Sequence, residues 1–159
     1  MQEFEKRPGE IALDDDPAVF ADDGRVVFIG KIHSPWKSRA ECPKNLRQAR
    51  ERGEQASVEV NLPWRAGLAG LENTDRVILL YWMHEARRDL IVQTPRHRPE
   101  PSGVFSLRTP VRPNPIALAC VRLLGLDIES GFLTIDAIDC LDGTPLVDIK
   151  PWIESVDGV

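Results

Sequence analysis

Two short segments of the chain concentrate groups able to clamp, orient or hold a charged ligand. The first is Arg108-Thr-Pro-Val-Arg112-Pro-Asn114-Pro-Ile116, in which three prolines fall within six residues. Proline fixes φ and removes a backbone donor, so this stretch can be neither helix nor inner strand, and its two arginines sit on a stiff backbone. A preset guanidinium loses little entropy on clamping a carboxylate, a phosphate or an aromatic ring, and a charged hydrogen bond made there is worth about 1.5 to 3 kcal/mol. The same stiffness would equally suit a rigid strand entry whose arginines bond backbone carbonyls. The second segment, Asp139-Cys-Leu-Asp142-Gly143-Thr-Pro145, sets two acids around a turn whose exposed oxygens and backbone groups can take an ammonium, a ribose hydroxyl or an amide. Its purely structural alternative is an Asx turn, in which Asp142 bonds its own backbone before Gly143. Lys150, two residues after Asp148, is as suited to pairing with that acid's neighbourhood as to meeting a ligand.

The elements that must position these groups are mostly strands. Val26-Val-Phe-Ile-Gly-Lys-Ile32 is β-branched and aromatic and is expected to open the domain, with Ser34-Pro35 ending it. Residues 56–62 alternate apolar with polar as a half-buried strand does. Residues 76–84 are apolar at nearly every position, which predicts a central strand covered on both faces. Residues 116–128 and 132–138 read as two strands joined at Glu129-Ser130-Gly131, with glycine supplying a positive φ, and residues 146–150 as a last strand. A short helix is expected near residues 46–52, and residues 85–102, with Pro95, Pro99 and Pro101, read as a long functional loop. Short strands, glycine turns and brief helices predict a mainly all-β fold, a single-sheeted antiparallel β-barrel over residues 25–155. Residues 1–24 read as an acidic flexible tail and 156–159 as a short C-terminal one.

Length and composition set the remaining bounds. The 159 residues, 28% of them charged, suit one core. No segment approaches the roughly 20 apolar residues of a membrane span, and the start lacks a signal peptide's pattern, so a cytoplasmic protein is expected. Cys42, Cys120 and Cys140 form no Cys-x-x-Cys pair and read as free thiols; His33, His84 and His97 show no ligand spacing, and no metal is expected. There is no Gly-x-Gly-x-x-Gly and no P-loop. The net charge of -5 hides a division: residues 1–25 hold eight acids against three bases, residues 26–124 sixteen bases against nine acids, and residues 125–159 eight acids against one base. Salt screens charges beyond about 8 to 10 Å, so a basic middle can attract phosphates although the whole chain is acidic. A solvated mixed-charge surface is the alternative.

Taken together, Gly103-Val-Phe-Ser-Leu-Arg108-Thr-Pro-Val-Arg-Pro-Asn-Pro-Ile116, Asp139-Cys-Leu-Asp-Gly-Thr-Pro-Leu-Val-Asp-Ile-Lys-Pro-Trp152, Ile29-Gly-Lys-Ile-His-Ser-Pro35 and Gly70-Leu-Glu72 make the chain resemble the TsaA-like or TrmO family, also known as YaeB or VirR, over about residues 26 to 153. The resemblance implies an antiparallel barrel, a homodimer and S-adenosylmethionine bound near the subunit interface. It further implies methylation of N6 of threonylcarbamoyladenosine at position 37 of tRNA. By position, cofactor contacts are expected from Asn45, His84, Glu85, Arg108, Leu118, Asp139, Cys140, Leu141, Asp142 and Gly143. The chain carries His84-Glu85 where the family usually has His-Gln, and Pro115-Ile-Ala-Leu-Ala119 where it has Pro-Ile-Gly-Leu-Ser.

Methyl transfer from a sulfonium needs in-line approach and a dry pocket more than covalent help, and positioning alone can be worth about 7 to 11 kcal/mol. The candidate catalytic residues are therefore Arg108, Asn114 and Asp139, the arginine and asparagine shaping a pocket and Asp139 or Asp142 holding polar groups of the cofactor. Lys37, Lys44, Arg47, Arg96 and Arg98 are expected to meet RNA phosphates. Two other readings stay open: a small-molecule methyltransferase, which would not need the basic surface, and a sensor or interaction protein that binds the cofactor without turnover. A dimer is also expected because an open barrel this small leaves strand edges to cover.

Overall fold

The computed structural model describes residues 5–96 and 99–158. Among these, nine strands form: β1 (Ile11–Ala12), β2 (Gly30–His33), β3 (Ala56–Val60), β4 (Arg76–Trp82), β5 (Leu90–Gln93), β6 (Ser102–Gly103), β7 (Ile116–Asp127), β8 (Phe132–Ile135) and β9 (Thr144–Pro151). Six of them close into an antiparallel barrel in the order β2-β3-β8-β7-β4-β9, with β9 pairing back to β2. The expected all-β barrel is thus the fold, but it is closed. Closure leaves the barrel itself without a free edge for a partner to cover.

The period-two pattern of the strands fills the barrel. Val58 and Val60 of β3, Val77, Leu79 and Tyr81 of β4, Ala119 and Val121 of β7, Leu133 and Ile135 of β8 and Leu146 of β9 all point inward and are buried. Strand β4 was read as covered on both faces. Instead its inward residues alternate with the half-buried Ile78, Leu80 and Trp82, because in a closed single sheet one face always looks outward. β4 pairs with β7 along its whole length, from Arg76 opposite Arg122 to Trp82 opposite Ile116. The turn between β7 and β8 is as expected: Gly131 has φ 78°, and the Asp127 side chain accepts from the Glu129 and Ser130 amides at 3.0 and 3.2 Å.

Other boundaries moved. The first barrel strand starts at Gly30 rather than Val26, and Val26, Val27 and Phe28 are exposed; the ring of Phe28 lies 6.4 Å from that of Trp82. β8 stops at Ile135, four residues into the predicted strand, yet Ala137 and Ile138 stay buried. The helix Leu46–Arg52 stands where it was expected, headed by Asn45, whose side chain accepts from the Gln48 amide.

The chain divides into two compact units: Val26–Met83 with residues 116–158, which hold the barrel, and the described residues up to Arg25 with His84–Pro115. The second unit joins the described N-terminal residues to His84–Pro115. It contains a three-stranded antiparallel sheet, β1-β5-β6, so the stretch read as a structureless loop carries a strand and the acidic N-terminal stretch supplies another. Arg7 donates to the Thr94 carbonyl at 2.6 Å and the Thr94 amide to Glu10 at 3.0 Å, which ties that segment in.

Candidate functional site

In the barrel unit, the turn Asp139–Gly143 lies between β8 and β9 and is held from three directions. From the end of β2, the Ser34 hydroxyl donates to the Cys140 carbonyl at 2.8 Å and the Ser34 amide to Asp142 Oδ1 at 3.0 Å. Trp36, buried just beyond, donates its indole N–H to the Ile138 carbonyl at 2.9 Å, while its own carbonyl accepts from the Asp142 amide at 2.8 Å. From β4, the buried Tyr81 donates its hydroxyl to Asp139 Oδ1 at 2.9 Å. Asp142 therefore does not form the Asx turn that was the structural alternative; Thr144 closes the turn instead, its hydroxyl donating to the Leu141 carbonyl at 2.7 Å. The side chain of Asp142 faces Lys37, whose Nζ lies 2.7 Å from Oδ2.

These contacts set the ionisation of the turn. The hydrogen bond from Lys37, helped by the Ser34 amide, holds the Asp142 carboxyl below the ordinary aspartate range. Burial pushes the Tyr81 hydroxyl and the Cys140 thiol well above their usual ranges, and the Cys42 thiol up to about 11, with Asp139 adding to each. On the neighbouring strands His33 Nε2 lies 2.7 Å from Glu59 Oε2, with Lys31 3.3 Å from the same oxygen, and the hydrogen bond from His33 lowers the pKa of Glu59. The result is a hydrogen-bonded polar rim on which Asp139 keeps one carboxylate oxygen, Oδ2, unbonded among the described residues.

Of the sequence-nominated residues in this unit, the structure brings Asp139, Cys140, Leu141, Asp142, Gly143 and Lys37 together. Cys140 is fully buried, and its carbonyl is taken by the Ser34 hydroxyl. Asn45 caps its helix, and Leu118 is 47% exposed on the outer face of β7. Ser34, Trp36 and Tyr81 were missed as site residues. Their signal was a serine, a proline and a tryptophan immediately after a strand, and one tyrosine inside an apolar run, each more readily read as a strand end or as core. The basic arm is largely committed within the protein: Arg47 pairs with Glu51 at 3.7 Å, Arg50 with Asp136 at 3.1 Å, and Arg52 lies 4.9 Å over the Trp36 ring. Lys44 is exposed. Lys150 pairs with Asp148 at 2.9 Å.

In the other unit, His84, Glu85, Arg96, Arg108 and Asn114 are exposed, and Arg98 lies outside the described residues. Arg112 follows the structural alternative: it donates to the carbonyls of Thr109, Val104 and Leu107 and so staples the proline-rich segment. Arg88 donates to the Pro113 carbonyl at 2.6 Å. Arg112→Ala should cost about 2 kcal/mol in urea unfolding, since three partly buried carbonyls lose their donor; a loss under about 0.5 kcal/mol would show that the segment holds its shape without the guanidinium.

Among the described residues no three histidines, cysteines or acids are grouped to hold a metal ion, and no helix is long and apolar enough to cross a membrane. A closed antiparallel barrel with a braced acidic turn at one rim defines a small β-barrel protein built around a polar site. A family model described as the tRNA-methyltransferase O N-terminal domain matches residues 31–158, and the chain belongs to that family. It is 44% identical over 129 residues to the probable S-adenosyl-L-methionine-binding protein VirR of Rhizobium radiobacter, covering 81% of this chain and 71% of that one. It is 36% identical over 136 residues to a probable S-adenosyl-L-methionine-binding protein of Methanothermobacter thermautotrophicus, covering 85% and 94%. Among solved structures, a crystal structure of TrmO matches with a TM-score of 0.69 and 33% identity over 87% of this chain. The chain spans only 61% of that structure's length.

Proposed function

We propose that the protein binds S-adenosylmethionine and transfers its methyl group to N6 of threonylcarbamoyladenosine at position 37 of tRNA, as a homodimer. The observation that carries the cofactor part is the braced Asp139–Gly143 turn, in a chain whose relatives are named for S-adenosylmethionine. The donor set fits the group: Asp139 offers a carboxylate oxygen to an ammonium or a hydroxyl. Bound there, the cofactor would supply an electrophilic methyl group. The protein's own part is positional. Tyr81 fixes the rotamer of Asp139, and Ser34 and Lys37 fix Asp142, so the acceptors meet the ligand without reorganising.

Transfer is tested by incubating the protein with labelled cofactor and bulk tRNA from a strain lacking its own enzyme, then analysing nucleosides by mass spectrometry. Methyl-threonylcarbamoyladenosine is the expected product. No heat and no thermal shift at millimolar cofactor would end the reading. A small-molecule acceptor is the second reading, favoured by the internal pairing of Lys37 and Arg47. The two separate by salt dependence. If RNA phosphates meet Lys44, Arg47, Arg96 and Arg98, replacing all four by alanine should flatten the log-log salt slope of tRNA binding by two to three units, at about 0.7 per single-strand contact. An unchanged slope would leave the small-molecule acceptor as the better account.

A further inference from the structure

A cavity of about 590 Å³ opens in the barrel unit, lined by Arg50, Arg76, Cys120, Arg122, Asp136 and Trp152 among others. None of its lining residues belongs to the Asp139–Gly143 turn, and its volume lies in the range of about 300 to 1,000 Å³ common for small-ligand sites. Three arginines and one acid, Asp136, are among its lining residues, and Glu154 lies at the indole of Trp152. The Asp136 carboxylate is already used: its Oδ2 accepts from Arg50 Nε at 3.1 Å and Oδ1 from the Arg122 backbone amide at 2.8 Å. Arg50 is pinned further by donating to the Cys120 carbonyl at 2.8 Å.

Arg76 and Arg122 are different. They stand directly opposite each other on β4 and β7, and among the described residues no carboxylate forms an ion pair with either. Like charges directly opposite on a sheet repel and destabilise the pairing. Both residues are exposed, so the core does not require them. An anion seated between the two guanidiniums would turn the repulsion into two charge-assisted hydrogen bonds. The remaining wall is aromatic. The Trp152 amide donates to the Arg76 carbonyl at 3.0 Å, which fixes the residue beside the arginine, and its indole N–H reaches Glu154 at 3.2 Å, which restrains the ring. Paired guanidiniums next to a restrained half-buried indole combine the two elements that hold a nucleotide, a phosphate clamp and a stacking face.

We infer that this cavity is a nucleotide-binding site in which Arg76 and Arg122 take a phosphate and Trp152 stacks on the base. It rests on the methyl-transfer reading only in taking the nucleotide to belong to an RNA strand. The site is separate from the proposed cofactor turn, so the protein holds a strand at one place and works on it at another.

The test uses the full chain and three probes: inorganic phosphate, AMP and a fluorescein-labelled oligoadenylate of five nucleotides. Anisotropy and competition should show the oligonucleotide bound and displaced by AMP at concentrations at least tenfold below those needed with phosphate. Arg76→Gln and Arg122→Gln should each weaken oligonucleotide binding about tenfold while the melting temperature holds or rises, because each removes the like-charge contact. Trp152→Leu should weaken AMP and oligonucleotide binding and leave phosphate affinity unchanged. S-adenosylmethionine titrations of the same variants should match wild type. AMP competing no better than phosphate would overturn the nucleotide assignment, and undiminished oligonucleotide affinity in the double variant R76Q/R122Q would overturn the site. AMP bound without the oligonucleotide would support the site and assign it to a free nucleotide. Loss of cofactor binding in the wild-type protein would strike the methyl-transfer reading and leave these results standing.

Discussion

Gly30→Ala is expected to lower the melting temperature by roughly 10 °C. Gly30 opens β2 opposite Val60, and a Cβ built there would lie 1.9 Å from the Glu59 carbonyl oxygen and 3.1 Å from the Val60 Cα. Neither neighbour is a flexible side-chain tip. Both are backbone, in a strand that also pairs with β8, so relief requires parting β2 from β3 and opening the closed ring. Overpacking a well-filled site typically costs about 1 to 3 kcal/mol, and backbone that cannot shift puts this substitution at or beyond the upper end. That is a large part of the roughly 5 to 15 kcal/mol by which a domain is stable. Thermal unfolding followed by circular dichroism measures it. A melting temperature within about two degrees of wild type would mean that β2 yields more easily than its pairing implies.

The second large effect is on the ligand. Asp139→Ala should lower S-adenosylmethionine affinity by ten- to a hundredfold in calorimetric titration, because a hydrogen bond to a charged group is worth about 1.5 to 3 kcal/mol and 1.4 kcal/mol is tenfold. Asp142→Ala should lose as much by another route, since it orphans the Ser34 amide and releases Lys37. Conservative replacements separate ligand contact from bracing. Asp139→Asn keeps an acceptor for the Tyr81 hydroxyl and loses only charge, and Tyr81→Phe keeps the charge and loses the brace. If Asp139→Asn binds as wild type while Tyr81→Phe does not, the turn matters as scaffold and the cofactor's cation sits elsewhere. Equal affinity in all four variants would remove the turn from the site.

Much of this was legible in the residues, and the unread part has physical causes. Period-two alternation and the hairpin glycine mark β3, β7 and β8 directly, because burial on one face is a local constraint. Barrel closure is not local: it depends on β9 returning to pair with β2 across more than a hundred residues, which no window of sequence reports. The acid turn was visible as acids, but its bracing by Ser34, Trp36 and Tyr81 joins three distant segments, and a lone serine or tyrosine carries no sign of its partner. Arg112 shows the opposite case. The proline run correctly suggested a rigid segment, yet the same stiffness that could preset a guanidinium for a ligand here presents backbone carbonyls to it.

The pairing of Trp82 with Ile116 gives the barrel an uncommon freedom. The chain leaves the ring after one of these residues and re-enters at the other, so the whole excursion over residues 83–115 is closed by a ladder that is already complete at its mouth. For insertions of flexible chain into that excursion, each doubling of loop length adds only about 0.6 kcal/mol of closure entropy. The excursion can therefore lengthen, shorten or be recast without shifting the register of β4 against β7. The register of the barrel is thus set by its own ladders, independently of the length of the inserted segment.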